Sequence, residues 1–363
     1  MISREEISRT ARQAAVEAGF DLAGIASVRE QDFPELTAFS DWIQAGHAGE
    51  MKYLEKRTES GELRRASLKN AAPWAKSVIV CALNYNADQP YSTRVHDSAR
   101  GWISRYAWSS RDYHDSLLQR LERVESAIRG CAAQHGLSVE TRRYVDTGPV
   151  VERVYAKYAG IGWIGKNTCI INQKLGSWIF LGVVLTSLEL TPDVPAADRC
   201  GSCTRCIDAC PTDALIAPGK MDARRCIAYL TIEKRGDVPE EFRAGVGHHV
   251  FGCDICQDVC PWNTKSGNAP PASAAEFQPQ EQLVHPDLQW LAEMNEEQFR
   301  ETFRGSPIKR AKYGGLRRNA AIAMGNSGNS DFLPQLEKMA SDSDPVVAEH
   351  ARWALQQLTN RTV

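Results

Sequence analysis

The chain has 363 residues, of which 43% are hydrophobic and 24% charged, and its formal net charge at pH 7 is −2. This length predicts two to three domains with ordinary buried cores, and the near-neutral charge excludes a generally basic nucleic-acid binder. No apolar run is long enough to span a membrane, and the N-terminus lacks the apolar stretch of a signal peptide, so we expect a cytoplasmic protein that does not contact a membrane.

Helices mixed with strands are predicted up to about residue 190, which indicates an α/β domain over residues 1–190. Ser3 and Glu6 have the spacing of a helix capping box, and Gly19 suits the position after a helix end. The predicted elements are helices over 3–19, 112–133 and 151–158, strands over 20–28, 77–84 and 139–145, and a hairpin of 168–171 with 178–185.

Two segments rich in proline and small residues, 191–198 and 266–280, are predicted linkers. They bound a cysteine-rich domain over 191–265 and a helical domain over 266–363. In the helical domain, 316–325 and 346–355 are loosely similar and lie thirty residues apart, which is typical of a HEAT-like repeat. The expected fold class is therefore α+β multidomain, with an all-α C-terminal domain.

Seven of the eleven cysteines fall in two tight runs, each ending in Cys-Pro. The first run has the C-x2-C-x2-C-x3-C-P spacing of bacterial ferredoxins, in which the fourth cysteine ligates the other cluster. Two [4Fe–4S] clusters need eight thiolates, and Cys226 is the natural eighth. Structural zinc also uses C-x2-C pairs, but four-thiolate zinc explains neither the prolines nor the count. The predicted ligands are Cys200, Cys203, Cys206 and Cys260 for cluster 1, and Cys210, Cys226, Cys253 and Cys256 for cluster 2, whereas Cys81, Cys131 and Cys169 are predicted core residues.

Residues 160–165 match the G-x-G-x-x-G pattern, and Lys166 extends the match towards a P-loop. Both nucleotide motifs require a strand before and a helix after them, whereas here a helix precedes and a hairpin follows. Nucleotide binding is therefore not favoured. The segment is either a loop that needs positive φ angles or a place where the backbone approaches a large flat ligand closely.

Three further segments precede the two cysteine runs. They are Ile103-Ser-Arg-Tyr-Ala-Trp, which Asp-Tyr-His follows, Tyr144-Val-Asp-Thr-Gly-Pro, and Ala159-Gly-Ile-Gly-Trp-Ile-Gly-Lys-Asn. In this order they resemble the epoxyqueuosine reductase family, from about residue 45 to the end. The resemblance implies a cobalamin-dependent, two-cluster iron–sulfur oxidoreductase related to reductive dehalogenases. Its reaction would reduce epoxyqueuosine at the tRNA wobble position to queuosine, using cob(I)alamin and electrons from the clusters, as the last step of queuosine biosynthesis.

The resemblance implies that Asp146 is the acid that protonates the departing epoxide oxygen. Composition alone allows a turn-forming aspartate there. Cobalamin is expected base-off without a protein ligand to cobalt, so His114 is expected to pack or to hydrogen-bond, and Ser104 stands where some relatives carry a cysteine beside cobalt. The expected cobalamin contacts in the N-terminal α/β domain and its neighbour are Arg57, Ser104, Asp146, Lys166, Asn167, Ala228 and Asp254, of which Arg57, Lys166 and Asn167 could equally be solvated.

Residues 300–318 hold seven arginines and lysines against Glu301, a local basic patch in a nearly neutral chain. Phosphate binding requires such a patch, and a flipped-out wobble base favours basic groups on both sides of the pocket. The alternative is a solvated helix surface. The expected tRNA contacts are Lys234, Arg235, Lys309, Arg310, Lys312, Arg317 and Arg318.

Two other functions remain open on the sequence. A different corrinoid reductase, of the dehalogenase kind, would share clusters and cobalamin but would not use the basic helical tail. An electron-transfer ferredoxin with appended domains would hold clusters and no corrin. In the favoured interpretation the partners are tRNA with epoxyqueuosine in the anticodon loop and an external one-electron donor of unknown identity, and the chain acts as a monomer.

Overall fold

A four-stranded sheet in the order β1-β2-β7-β4 forms the core of the N-terminal region, and every neighbouring pair in it is antiparallel. The computed structural model describes residues 2–29, 33–264 and 269–361. The elements of this region are α1 (Arg4–Glu17), β1 (Leu22–Ser27), α2 (Pro34–Gln44), α3 (Leu68–Ala71), β2 (Ser77–Asn84), β3 (Trp102–Ile103), α4 (Tyr113–Gln134), β4 (Thr141–Tyr144), α5 (Glu152–Tyr158), β5 (Trp163–Ile164), β6 (Ile170–Ile171) and β7 (Ile179–Thr186).

Strand β2 lies at the centre of this sheet, and all eight of its residues are buried. Because side chains alternate across a strand, Ile79 and Cys81 pack with α1 and α4, whereas Val78 and Val80 pack with α2, α3 and α5. The mixture of helices and strands is as predicted. The antiparallel pairing makes the region α+β rather than the α/β domain that the sequence suggested.

The predicted hairpin of 168–171 with 178–185 is wrong. β6 pairs with β5, the strand inside the glycine-rich segment, and β7 enters the large sheet between β2 and β4. Gly162 explains the choice, because a Cβ there would lie 2.4 Å from the Ile171 carbonyl oxygen. The glycine-rich segment therefore serves close strand pairing.

The cysteine-rich region is joined to both of its neighbours. Strand β10 pairs in parallel with β3, with His249 opposite Trp102 and Phe251 opposite Ile103. Its other side contacts the C-terminal helix α14. The elements of this region are α6 (Arg205–Asp208), β8 (Leu215–Ala217), β9 (Lys220–Met221), α7 (Ile227–Ile232), α8 (Glu240–Val246), β10 (His249–Phe251), α9 (Ile255–Asp258) and α10 (Pro261–Thr264).

The C-terminal region is helical, as predicted, and its longest helices pack on one another. Gly325 of α14 allows this, because a Cβ there would lie 2.7 Å from the Ala354 Cα of α16. The HEAT-like classification and the three domain ranges stay predictions, and the boundary at 265/266 and the start of the 266–280 linker lie outside the described residues. The helices are α11 (Glu281–Val284), α12 (Leu288–Glu293), α13 (Glu296–Thr302), α14 (Tyr313–Ser327), α15 (Leu333–Ala340) and α16 (Pro345–Arg361).

Among the described residues, no helix combines the length and the apolar character that a bilayer crossing demands.

Two adjacent histidines are held neutral where β10 meets β3. Burial lowers the pKa of His248 to about 3, with further lowering from the neighbouring His249, and burial lowers that of His249 to about 4. The His249 ring donates from Nδ1 to the Val246 carbonyl at 3.0 Å. Protonation of either ring therefore opposes the folded state.

We expect the free energy of unfolding to fall as the pH drops from about 6.5 towards 4, because unfolded histidines titrate near 6.5. Each buried histidine contributes a slope of up to about 1.4 kcal/mol per pH unit in this window, and its contribution is complete above it. Denaturant titrations of the anaerobic protein at several pH values measure the slope. His249→Gln should flatten it, whereas the control His135→Gln, at an exposed position, should not. An unchanged slope in His249→Gln would contradict this account.

Candidate functional site

Four thiols predicted for cluster 1 line one cavity. They are Cys200, Cys203, Cys206 and Cys260, and Lys166 and Trp262 complete the wall. The Trp163 indole nitrogen donates to the Cys200 sulfur at 3.4 Å. Hydrogen bonds to sulfur stabilise cluster-bound thiolates and tune their potential, so the donor set suits an iron–sulfur centre.

The four thiols predicted for cluster 2 also lie near one another. Burial raises the pKa of Cys226 and Cys253, and the neighbouring Cys210 raises both further. The neighbouring Cys253 and Cys226 likewise raise the pKa of Cys256. The Ala214 N–H donates to the Cys210 sulfur at 3.3 Å. Buried thiols whose negative charges are destabilised in this way, Cys226, Cys253 and Cys256, suit ligation by an iron centre, whose positive charge would stabilise the thiolates.

Cys169, predicted to be a small core residue, lies beside the second set instead. Its thiol is hydrogen-bonded to Cys256, and this contact raises the pKa of Cys256 well above the ordinary range. The amide of Asn167 donates to the Cys256 carbonyl at 3.2 Å, and its oxygen accepts from the Cys169 N–H. Asn167 is buried and braces the loop that carries Cys256, and its cobalamin contact stays a prediction.

Ser104 and Asp254, also expected to contact cobalamin, are buried and hydrogen-bonded to each other, and the cobalamin contact stays a prediction. Asp254 is 1% exposed and accepts hydrogen bonds from the Trp102 indole, the Ser104 hydroxyl and the Arg105 N–H. Gly252, at φ 71°, lets the two segments meet, because a Cβ there would lie 2.5 Å from the Ser104 Cβ. Both side chains therefore hold the Cys253 loop against β3.

The other expected contacts lie in separate places. Lys166 donates to the Gly201 carbonyl at 2.7 Å, at the rim of the cluster 1 cavity. The Ala228 N–H donates to the Cys226 sulfur. Arg57 donates to the Gly61 carbonyl at 2.7 Å in an exposed turn. Lys166 and Ala228 thus adjoin the two thiol sets, whereas Arg57 lies in a surface turn.

Asp146 lies in the loop after β4 with a positive φ of 57°. Its side chain is 59% exposed. The Tyr113 hydroxyl donates to its carboxylate at 3.3 Å, the His114 Nε2 lies 3.9 Å from the same oxygen, and Arg65 donates to its backbone carbonyl at 3.3 Å. Asp146 is thus an accessible carboxylate held by a strained loop and oriented by neighbours on α4.

Two buried polar atoms near Asp146 have no hydrogen-bond partner among the described residues. One is Oε1 of Glu152, whose pKa is raised to about 7 by burial first and by the charge of Asp146 second. The other is Nε2 of His114, whose Nδ1 lies 2.6 Å from an Asp112 oxygen. Unsatisfied buried atoms of this kind are typical of the edge of a ligand site. Sequence reasoning missed Glu152, although it lies in the same segment as Asp146.

The two predicted basic patches form one surface. The Arg235 guanidinium donates to the Ala311 carbonyl at 3.3 Å, and Arg310 is 2.5 Å from the Glu233 carboxylate. Lys309 is 59% exposed and lies 3.9 Å from Asp112, which connects the basic surface to the Asp146 site. We call the exposed Arg235, Lys309 and Lys312, together with the half-buried Arg310, the basic rim.

Arg318 was predicted to bind RNA, and this is wrong. It is 1% exposed and donates to the carbonyls of Leu230, Lys234 and Gly236 at 2.7, 3.0 and 2.7 Å. Burial lowers its pKa to about 10. Arg317 is half-buried in an ion pair with Asp342. Lys234 is half-buried and paired with Glu50, so the basic rim is smaller than the sequence patch.

Comparisons with known proteins agree with these features. A family model described as "Epoxyqueuosine reductase QueG, DUF1730" matches residues 65–147, and one described as "4Fe-4S double cluster binding domain" matches residues 199–263. The chain is 38% identical over 350 residues to the epoxyqueuosine reductase of Xanthomonas campestris pv. campestris, covering 95% of this chain and 94% of that protein. The Escherichia coli (strain K12) epoxyqueuosine reductase is 34% identical over 358 residues, covering 98% and 90%.

Solved structures show the same similarity. A crystal structure of an epoxyqueuosine reductase with an epoxyqueuosine-modified tRNA-Tyr stem loop superposes with a TM-score of 0.83 at 30% identity, covering 98% of this chain and 91% of that one. The Bacillus subtilis epoxyqueuosine reductase, solved with its catalytic aspartate loop swung out of the active site, gives a TM-score of 0.82 at 30% identity, with the same coverage.

We expect iron content to separate the eight predicted ligands from the neighbouring thiol. Cys260→Ala and Cys256→Ala should each lose about half of the iron, because each removes one thiolate from one four-thiolate set. Cys169→Ala should keep the full content, although its thiol touches Cys256. Iron and sulfide assays with absorption spectra on anaerobically purified protein measure this. Full iron in Cys260→Ala, or halved iron in Cys169→Ala, would refute the ligand sets.

Proposed function

The chain belongs to the epoxyqueuosine reductase family, and we propose that it reduces epoxyqueuosine at the wobble position of tRNA to queuosine, the last step of queuosine biosynthesis. The observation that carries this proposal is the placement of an accessible carboxylate, Asp146, next to the basic rim in a chain of which eight of the eleven cysteines are predicted to form two four-thiolate sets. The relative solved with a modified tRNA stem loop supports RNA as the substrate.

The proposed cofactors are two [4Fe–4S] clusters and base-off cobalamin. The thiol sets suit the clusters, and the unsatisfied Oε1 of Glu152 suits a ligand rich in amide groups, as the corrin periphery is. When bound, the cobalamin would supply the reducing electrons and the clusters would replenish them singly.

In the proposed reaction Asp146 donates a proton to the epoxide oxygen as it leaves carbon. Tyr113 orients the carboxyl through its hydroxyl but keeps its own proton, because burial raises the Tyr113 pKa well above its ordinary value, and Asp146 adds to the effect. The positive φ of Asp146 indicates a strained loop, and this loop would bring the carboxylic acid to the epoxide. The swung-out aspartate loop of the B. subtilis relative supports a movable acid.

The basic rim would hold the phosphates on either side of the wobble nucleotide. Lys309 and Lys312 are exposed, and Arg310 contacts the Tyr53 hydroxyl at 3.2 Å, so a nucleotide entering towards Asp146 would pass this edge. We further propose that the chain acts as a monomer in the cytoplasm and takes electrons from an external one-electron donor.

We expect Asp146→Asn to lower kcat on an epoxyqueuosine stem loop by at least about 100-fold, because asparagine cannot donate the proton. Iron content and RNA affinity should not change. Asp213→Asn is a matched control, since Asp213 is exposed and also has a positive φ. Product is measured by mass spectrometry of nucleosides. Near-normal turnover in Asp146→Asn would exclude its role as the acid.

Salt dependence tests the basic rim. Removal of one lysine–phosphate interaction should reduce the slope of log affinity against log salt by roughly one unit, so Lys309→Ala with Lys312→Ala should flatten it measurably. The exposed Lys338→Ala on α15 is the control. Stem-loop titrations between low and high salt give the slopes. Equal slopes in the double variant and the wild type would place the RNA elsewhere.

A further inference from the structure

The proposed reaction needs two protons, and Asp146 carries one. Conversion of an epoxide to an alkene breaks two C–O bonds, forms one C=C bond and takes up two electrons and two protons, and the oxygen leaves as water. The cobalamin and clusters supply the electrons. After its first transfer Asp146 is a carboxylate, so a second donor must protonate either Asp146 or the oxygen itself.

His114 is placed to reload Asp146. Its Nδ1 lies 2.6 Å from Asp112 Oδ1, and its Nε2 lies 3.9 Å from Asp146 Oδ2. That Nε2 is buried and has no hydrogen-bond partner among the described residues. Catalytic hydrogen bonds are often long in the absence of substrate. Because Asp146 lies in a loop, a small shift of that loop or one bridging water would join His114 Nε2 to the Asp146 carboxylate.

The neighbours of His114 favour this assignment. Besides Asp112 and Asp146, the groups facing it are Tyr113, whose ring stacks on the imidazole at 4.1 Å, and Lys309, 3.9 Å from the other Asp112 oxygen. The His114 ring and its N–H hold the pKa of Asp112 low against the raising effect of burial, so Asp112 stays a carboxylate. A carboxylate bonded to Nδ1 stabilises an imidazolium and orients its Nε2–H. Tyr113 retains its proton, as described above.

We propose that Asp112 and His114 form a proton-delivery pair in which the imidazolium Nε2–H recharges Asp146 after the first transfer, with Asp112 as the positioning residue. The N–H bond of His114 breaks, the O–H bond of Asp146 forms, and solvent returns a proton to the neutral imidazole. The inference rests on the proposed function and assigns a second participant to the same site. Glu152 is the competing donor, but among the described residues no hydrogen bond or ion pair joins it to Asp146.

Two substitutions separate proton delivery from packing. His114→Gln places an amide nitrogen near Nε2 but cannot titrate. Asp112→Asn keeps the cap of α4, because asparagine caps helices as well as aspartate does, but removes the charge. Glu152→Gln tests the competitor, and Asp115→Asn, exposed on the same turn, is the control.

We expect His114→Gln to lower single-turnover rates by about 100-fold, to abolish the alkaline limb of the wild-type pH profile and to raise the solvent isotope effect, with iron content and KM unchanged. Asp112→Asn should lower the rate by about tenfold and move that limb to lower pH. Nitrogen-15 NMR of histidine-labelled, cluster-loaded protein should show a His114 imidazolium at neutral pH that Asp112→Asn makes more acidic.

The proposal is overturned if His114→Gln retains the wild-type rate and pH limb, if its loss of rate follows a loss of iron, or if only Glu152→Gln removes the limb. A neutral His114 ring at pH 7 in the wild-type spectrum would also overturn it. If the wild-type protein does not convert the epoxyqueuosine stem loop at all, the proposed function fails, and the NMR titration still reports whether the Asp112–His114 pair holds its proton.

Discussion

The buried carboxylate of Asp254 is the interaction on which the rest of the structure depends. It lies between two cluster cysteines and receives three hydrogen bonds from residues 102–105 of the N-terminal region. Arg105, 2% exposed, provides a nearby positive charge and binds the carbonyls of Ala87, Gln89 and Pro90. Removal of one partner from such a buried charged set typically costs about 3–5 kcal/mol, so the cluster loop and the N-terminal sheet region keep one relative position.

The fixed position of the cluster loop against the N-terminal sheet region keeps the thiols apart from the side chains that handle protons. Cys226 and Cys253 pack against the core around β3 and β10, whereas Cys200 and Cys260 pack with Trp163 of β5 and Ile171 of β6. The carboxylates and imidazole that handle protons lie at the end of β4 and the start of α4. Since α4 packs against α1 on the sheet and presents its first turn to the Asp146 loop, the rigid scaffold orients these side chains. The loop that carries the acid stays accessible.

Much of this arrangement follows from local patterns in the sequence. The cysteine spacing predicted a domain with two clusters, which the family model over residues 199–263 supports, whereas the ligand sets, including the isolated Cys226, stay predictions. The apolar run of β2 and the periodicity of α4 predicted the central strand and the longest helix. Burial of charge could not be predicted in the same way. Arg318 looks like its basic neighbours in the sequence, and only the tertiary fold shows that its guanidinium is surrounded by carbonyls. Cys169 was missed because its partner Cys256 is distant in the chain, and Glu152 because its burial depends on the tertiary fold.

The buried guanidinium of Arg318 has a consequence for maturation of the enzyme. Three of its hydrogen bonds end on carbonyls within 230–236, the segment that follows the predicted cluster ligand Cys226, and the others end on Asn319 Oδ1. Disorder in that segment would remove the three carbonyl acceptors from a buried cation and weaken the packing of α14. An apoprotein that had not yet received iron would then present an incomplete surface to nucleic acid, so unfinished molecules would not sequester transfer RNA from finished ones.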